Sequence, residues 1–399
     1  MKNLFATLLC LCTISAFSHA QLPQKFDSLY KTIFAKDFCK MIQQNPDIVL
    51  LDVRSPGEYA DTSASTSLNI GHLKGAINMG IDSMKKNMAA LDAYRSKTLV
   101  IYCSHSQRSR RVSKLLSENG FTNFYNLNGG LSSLNQLTAR DFPCKQDWLQ
   151  TNLSYKNLSV PEALALHAKE KKLVVVDVRP ASHFELNDSA AERNIGRIKG
   201  AINIPYDKFS ARIAELNAHK NSPILVYTMG GDGDATRAAS QLAANGFKTV
   251  YHLVGGIDGV LTNAQGSAVM EKTPAFHCLD AEQALGLLKS SRALTVYDAR
   301  PKIEFENKDE KFWKNLGNIK NALNVSAANI AAQTLPADKK APILVYGNPG
   351  AFVIAKTLSE KGYTAVYSMD SLYDFIWSGF NIESCKEARN YVVNHDGLF

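Results

Sequence analysis

Long apolar runs are scarce in this sequence. After residue 20 no segment approaches the ~18 consecutive apolar residues that a membrane-spanning helix needs, so the mature chain is expected to be soluble, without a membrane partner. Runs of like charge are missing too. The 45 Lys and Arg against 37 Asp and Glu leave a formal charge of +8 that is scattered, without the basic tract of a nucleic-acid tail. Nucleic acid is therefore not expected as a partner. The 9 histidines show no metal-ligand spacing, so no metal or other cofactor is expected. Cysteine is sparse, 7 in 399 residues, and absent between Cys144 and Cys278. What remains is ordinary globular composition, 45% hydrophobic and 21% charged, which excludes disorder, collagen and coiled coil.

Lys2 opens the chain, an uncharged stretch rich in apolar residues runs from Leu4 to Phe17, and Ser18-His19-Ala20 offers small side chains where a signal peptidase inspects them. Residues 1–20 read as a cleaved secretory signal, too short for an anchor. Neither Cys10 nor Cys12 follows the small residues of a lipoprotein signal. A periplasmic or secreted protein is expected. Cleavage leaves five cysteines: Cys39, Cys103, Cys144, Cys278 and Cys385. An odd count in an oxidising compartment leaves at least one thiol unpaired or paired between chains.

The chain repeats itself. Ile48 to Arg54, ending in Asp52-Val53-Arg54, recurs as Leu173 to Arg179 and again as Leu294 to Arg300. Each is followed by a Gly-x-x-Lys-(Gly/Asn)-Ala-x-Asn segment: Gly71 to Asn78, Gly196 to Asn203 and Gly317 to Asn324. A second apolar strand follows in each, at Thr98 to Tyr102, Ile224 to Tyr227 and Ile343 to Tyr346, and then a helix-length stretch ending at Gly120, Gly246 and Gly362. Short apolar strands alternating with helices predict a parallel sheet covered on both faces. The expected architecture is three tandem α/β domains over residues 27–145, 146–268 and 269–399. Asp52 and Arg54 have counterparts in every copy, which points to a structural ion pair rather than catalysis.

The copies differ in one loop. After the second strand of the first copy comes Cys103-Ser104-His105-Ser106-Gln107-Arg108-Ser109, opening a helix. A cysteine at a strand end, below loop amides and a helix N-terminus, has its nucleophilic thiolate form favoured. Arg108 is placed to grip an oxyanion bidentately, and Arg110, Arg111 and Lys114 would add a basic surround. Its histidine, His105, reads as a solvated loop residue.

The Asp-Val-Arg strand, the Gly-His-x-x-Gly-Ala segment, Cys-x-x-x-x-Arg-Ser and the Gly129-Gly130 pair together resemble the rhodanese sulfurtransferase family. The resemblance covers nearly the whole mature chain and is specific in the first copy. It implies a Cys103 persulfide, received from thiosulfate or a similar small anionic donor and passed to cyanide or a thiol. It further implies that Arg108 holds the donor's anionic end and that the amides of Ser104, His105, Ser106, Gln107, Arg108 and Ser109 cradle the outer sulfur. The family commonly has Gly where Ser106 stands, so a positive φ there would strain this chain. Phosphatase and arsenate-reductase cousins use five residues between Cys and Arg; here there are four, Ser104 to Gln107, which suits a single sulfur atom. Mercaptopyruvate-type enzymes favour a different loop after the cysteine.

The second copy has Thr228 where the first has Cys103, and the third has Gly347, so both read as catalytically silent. The second loop carries Asp232 and Asp234, too few carboxylates for a calcium site. These copies are left as scaffold, protein-partner surface or wall around Cys103. Cys39 and Cys144 bracket the first copy, and Cys278 and Cys385 the third. Disulfides Cys39–Cys144 and Cys278–Cys385, with Cys103 free, are one of three pairings of those four. The alternative to an exported sulfurtransferase is a non-catalytic binding protein or scaffold on the same fold.

Overall fold

The computed structural model describes residues 29–231, 233–291 and 293–395; the leader at 1–20, with Cys10 and Cys12, and Asp232 lie outside the described residues. In the first copy, strands β1 (Lys31–Ile33), β2 (Val49–Asp52), β3 (Ile77–Asn78), β4 (Leu99–Tyr102) and β5 (Phe124–Leu127) form one sheet in the order β1-β5-β4-β2-β3. Every pair is parallel. The second copy repeats this with β6 (Lys156–Leu158), β7 (Val174–Asp177), β8 (Ile202–Asn203), β9 (Pro223–Tyr227) and β10 (Thr249–Leu253). The third repeats it with β11 (His277–Leu279), β12 (Thr295–Asp298), β13 (Leu323–Asn324), β14 (Ile343–Tyr346) and β15 (Val366–Met369). The molecule is three tandem parallel-sheet α/β units.

The helices that matter below are α1 (Ala35–Gln44), α2 (Gln107–Glu118) and α3 (Gly130–Gln136) in unit 1, and α4 (Asp234–Ala244) and α5 (Gly256–Thr262) in unit 2. Unit 3 carries α6 (Ala281–Ser290), α7 (Gly350–Glu360) and α8 (Leu372–Asn381). Side chains alternate across a strand, and β4 is buried on both faces. Val100 and Tyr102 pack with α1 and α3, while Leu99 and Ile101 pack with Val112 and Leu116 of α2. Cys103 continues the alternation onto the α2 face.

Asp52 and Arg54 form a fully buried pair, Arg54 Nη2 donating to Asp52 Oδ2 and to the Gly71 carbonyl, each at 2.7 Å. The same bolt recurs as Arg179 with Asp177 and Gly196, and as Arg300 with Asp298 and Gly317. It ties the end of the second strand to the glycine segment in every unit. Gly71 has φ +80°, and a Cβ there would lie 2.3 Å from the Gln150 carbonyl oxygen, so only glycine fits.

Each unit closes with an antiparallel ribbon. His72–Leu73 pairs with Leu149–Gln150, and Arg197–Ile198 with Met270–Glu271. The first two units therefore extend to Gln150 and Glu271, a few residues beyond the expected ends at 145 and 268. Units 2 and 3 share one apolar cluster, which includes Leu225, Tyr227 and Ile257 of unit 2 and Ile343, Val345 and Phe352 of unit 3.

Cys39 on α1 is bonded to Cys144. The second expected bridge is absent: Cys278 and Cys385 are both free thiols. Counting from the residues that precede α1 and α6, Phe34 and Asp280, the place of Cys39 is taken in unit 3 by Leu285. Cys278 lies earlier, on β11, while the turn Glu383–Cys385 packs against α6, where no sulfur faces it.

Candidate active site

The loop between β4 and α2 is held from one side by α3. The amides of Leu131 and Ser132 donate to the carbonyls of Cys103 and Ser104 at 3.0 and 2.9 Å. A Cβ on Gly130 would come within 2.3 Å of the Cys103 carbonyl oxygen, so this approach requires glycine. In a trans peptide the N–H points opposite to the C=O of the same plane. With both carbonyls turned to α3, the amides of Ser104 and His105 face the loop's inner side. Among the described residues, the amides of Ser104, His105, Ser106, Arg108 and Ser109 have no hydrogen-bond partner. The Cys103 thiol beside them is 1% exposed. Unpaired amides at the start of a twelve-residue helix are suited to negative charge.

Ser106 adopts the left-handed conformation, φ 67° and ψ −6°. A serine therefore occupies the glycine-like position. Its hydroxyl donates to the Leu127 carbonyl at 3.1 Å, and its own carbonyl accepts from the Arg110 amide and the Ser109 hydroxyl, both at 3.1 Å. These bonds offset the strain.

Arg108 does not point at an incoming anion. Its two terminal nitrogens donate to the two carboxylate oxygens of Glu58 at 2.6 Å each, and Nη2 also donates to the Ser104 hydroxyl at 3.0 Å. Glu58 ends a capping box begun by Ser55. Burial alone would raise the Glu58 pKa, but the Arg108 hydrogen bond, the Ser55 amide and the Arg108 charge outweigh it and bring the carboxyl to about 2. Arg108 is thus a brace across the loop, still within electrostatic reach of Cys103. The basic surround is also smaller than expected. Arg110 is buried at the seam with unit 3, its Nη2 donating to Asn128 Oδ1, the Phe380 carbonyl and Asn381 Oδ1. Lys114 pairs with Glu118, and Arg111 stays exposed.

The Rhodanese-like domain profile matches residues 34–137 and 160–263, more than half of the chain. The chain belongs to the rhodanese-like family. Among curated proteins, a tRNA uridine(34) hydroxylase of Pectobacterium carotovorum is 27% identical over 114 residues, 27% of this chain and 30% of that protein. The uncharacterized protein YqhL of Bacillus subtilis is 37% identical over 83 residues, 20% of this chain and 56% of that one. The chain thus spans less than two thirds of either relative's length. Among solved structures, a thiosulfate sulfurtransferase from Pseudomonas aeruginosa aligns over 86% of this chain and 67% of its own at 16% identity, with a TM-score of 0.24.

Of the remaining loop residues of this rhodanese-like unit, His105 is exposed with Nε2 2.9 Å from the Ser132 hydroxyl. Gln107 is hydrogen-bonded to Tyr373 of unit 3, and Ser109 is buried. In unit 2 the loop is held the same way, the Ile257 and Asp258 amides donating to the Thr228 and Met229 carbonyls. In unit 3 Asp370 and Ser371 replace the two glycines, and the loop turns over: the Gly347 and Asn348 amides donate to the Asp370 carbonyl. Sequence reasoning missed Glu58, although the Ser55-x-x-Glu58 spacing marks it as a capping residue. It also missed Asn381, which no local pattern announces.

Proposed function

We propose that this protein is an exported sulfurtransferase carrying a sulfane sulfur on Cys103. The observation that carries the reading is the loop itself: a buried thiol at a strand end, ringed by amides without protein partners, at a helix N-terminus. The Cys103 thiolate attacks the outer sulfur of thiosulfate. An S–S bond forms to Sγ, the S–S bond of the donor breaks, and sulfite leaves with its electron pair. Cyanide or a thiolate then attacks the outer sulfur, and the Cys103 thiolate departs, restoring the enzyme. The loop amides stabilise the charge on the outer sulfur, and Arg108 with Glu58 keeps the loop from spreading.

Two features support export: the leader-like residues 1–20 and the Cys39–Cys144 bond, which is at home in an oxidising compartment. A binding protein without turnover is the second reading, favoured by the commitment of Arg108 to Glu58. Steady-state thiosulfate-to-cyanide transfer by the mature protein separates them. Turnover lost in Cys103→Ala supports the enzyme; no turnover from folded protein with reduced Cys103 supports the binding protein.

A further inference from the structure

One small turn joins a unit to the next, twice over. An asparagine closes it in each unit: Asn69, Asn194 and Asn315 each exchange two hydrogen bonds with the backbone of Ser63, Asp188 and Asp309. Just before them lie the equivalent turns Thr66–Leu68, Ala191–Arg193 and Phe312–Lys314. The first packs on α4 of unit 2, the Thr66 hydroxyl donating to the Gly233 carbonyl at 3.3 Å and lying 2.9 Å from the Thr236 hydroxyl. The second packs on α7 of unit 3, and Ala191 joins the apolar cluster that units 2 and 3 share. In unit 3 the same place is held by Phe312, which is 51% exposed. We propose that this turn of unit 3 is a docking surface for a second copy of the chain, the two patches meeting across a twofold axis.

The patch is larger than one ring. Ile303, on the helical turn Lys302–Phe305, is 47% exposed. Lys314 Nζ donates to Glu304 at 2.7 Å and lies 3.7 Å from Asp309, which clamps that helical turn to the Phe312 turn. Ile303 and Phe312 therefore bring their apolar area to one end of unit 3. Phe312 meets Trp313 edge-on with ring centroids 5.5 Å apart, which steadies the ring before a partner arrives. A single exposed apolar side chain is ordinary. Two held together, one of them aromatic, at the place where the other units form their interfaces, mark a contact surface.

Charge and the repeat select the occupant. Lys302, Lys308 and Lys311 are interspersed along the patch with Glu306 and Glu310, all of them exposed. A surface of mixed sign complements neither a polyanion nor a strongly basic partner, whereas two copies related by a twofold axis can set each lysine toward a carboxylate. A head-to-tail string of molecules is closed off. Counting back from Gly120 and Gly246, the helix position that meets Thr66 in unit 2, Thr236, corresponds to Arg110 in unit 1. Arg110 is already buried against Phe380 and Asn381 of its own chain. The patch is left to meet its own copy.

The test is sedimentation velocity of the full mature protein over a wide concentration range, with circular dichroism to check the fold of each variant. The expected result is a reversible monomer–dimer equilibrium whose dissociation constant rises at least ~tenfold in Phe312→Asp and in Ile303→Lys, both changes at exposed side chains. Phe312→Cys oxidised with diamide is expected to give a disulfide-linked dimer on non-reducing gels. A native protein that stays monomeric throughout, a dimer that either folded variant leaves unchanged, or oxidation that links no dimer would overturn the proposal. Neither readout depends on sulfur transfer at Cys103.

Discussion

The pair Glu58–Arg108 sets the shape of the Cys103 loop, and its contribution can be worked out. Glu58 is nearly fully buried, and its carboxyl is brought from 4.5 to about 2. At about 1.4 kcal/mol per pH unit, the charged form stabilises the fold by ~3 kcal/mol near neutrality. The folded-state pKa lies below the unfolded one, so this stability is present above about pH 4.5 and is lost as pH falls toward 2. Glu58→Gln removes the charge at every pH. The variant is expected to be ~3 kcal/mol less stable than the native protein at pH 6, and the gap is expected to narrow by roughly 1.4 kcal/mol at pH 3.5. Because Cys103 is buried, its alkylation in rising urea, read by peptide mass, reports opening of this unit rather than of the whole chain. A gap below about 1 kcal/mol at pH 6, or one that does not shrink at pH 3.5, would refute the assignment of Arg108 as a brace.

Four further outcomes follow from the structure of unit 1 and its seam with unit 3. Ser106→Gly removes a left-handed strain of ~1 kcal/mol and a hydroxyl bond of similar worth, so stability should change by less than about 1 kcal/mol. Ser106→Ala keeps the strain and loses the bond, and should cost ~1–2 kcal/mol in the same urea assay. Cys144→Ser opens a loop with a sequence separation of 105 and should destabilise unit 1 by ~4–5 kcal/mol on the chain-entropy account, measured by urea unfolding with Cys103 labelling. Asn381→Ala removes the acceptor that Arg110 and the Gly129 amide share, and should speed native-state alkylation of Cys103 roughly fivefold. An unchanged rate would mean that unit 3 does not steady the loop.

Much of the fold was legible because its parts are local and repeated. The Asp-x-Arg strand and the glycine segment recur with near-constant spacing, so three parallel-sheet units and their buried ion pairs could be read from one chain. The loop was legible because strand, cysteine and helix start are contiguous. The positive φ at Ser106 was raised by the resemblance alone, through the glycine that the family commonly has there. What was not legible joins residues distant in sequence. Arg108 offers the same guanidinium to a donor or to a carboxylate, and only the folded chain brings Glu58 to it from 50 residues away. Arg110 looked like part of a basic mouth until α8 of unit 3 covered it. The second disulfide failed because bracketing a unit does not make two cysteines equivalent: Cys39 lies on the helix α1, whereas Cys278 lies on the strand β11 that precedes α6.

The central claim is that Cys103 carries a sulfane sulfur. Intact mass of the mature protein after thiosulfate treatment and desalting tests it most directly, beside Cys103→Ala. The account predicts a gain of one sulfur atom in the native protein, removed by cyanide and absent in the variant. A reduced, folded native protein that gains no sulfur, or a variant that gains as much, would contradict it.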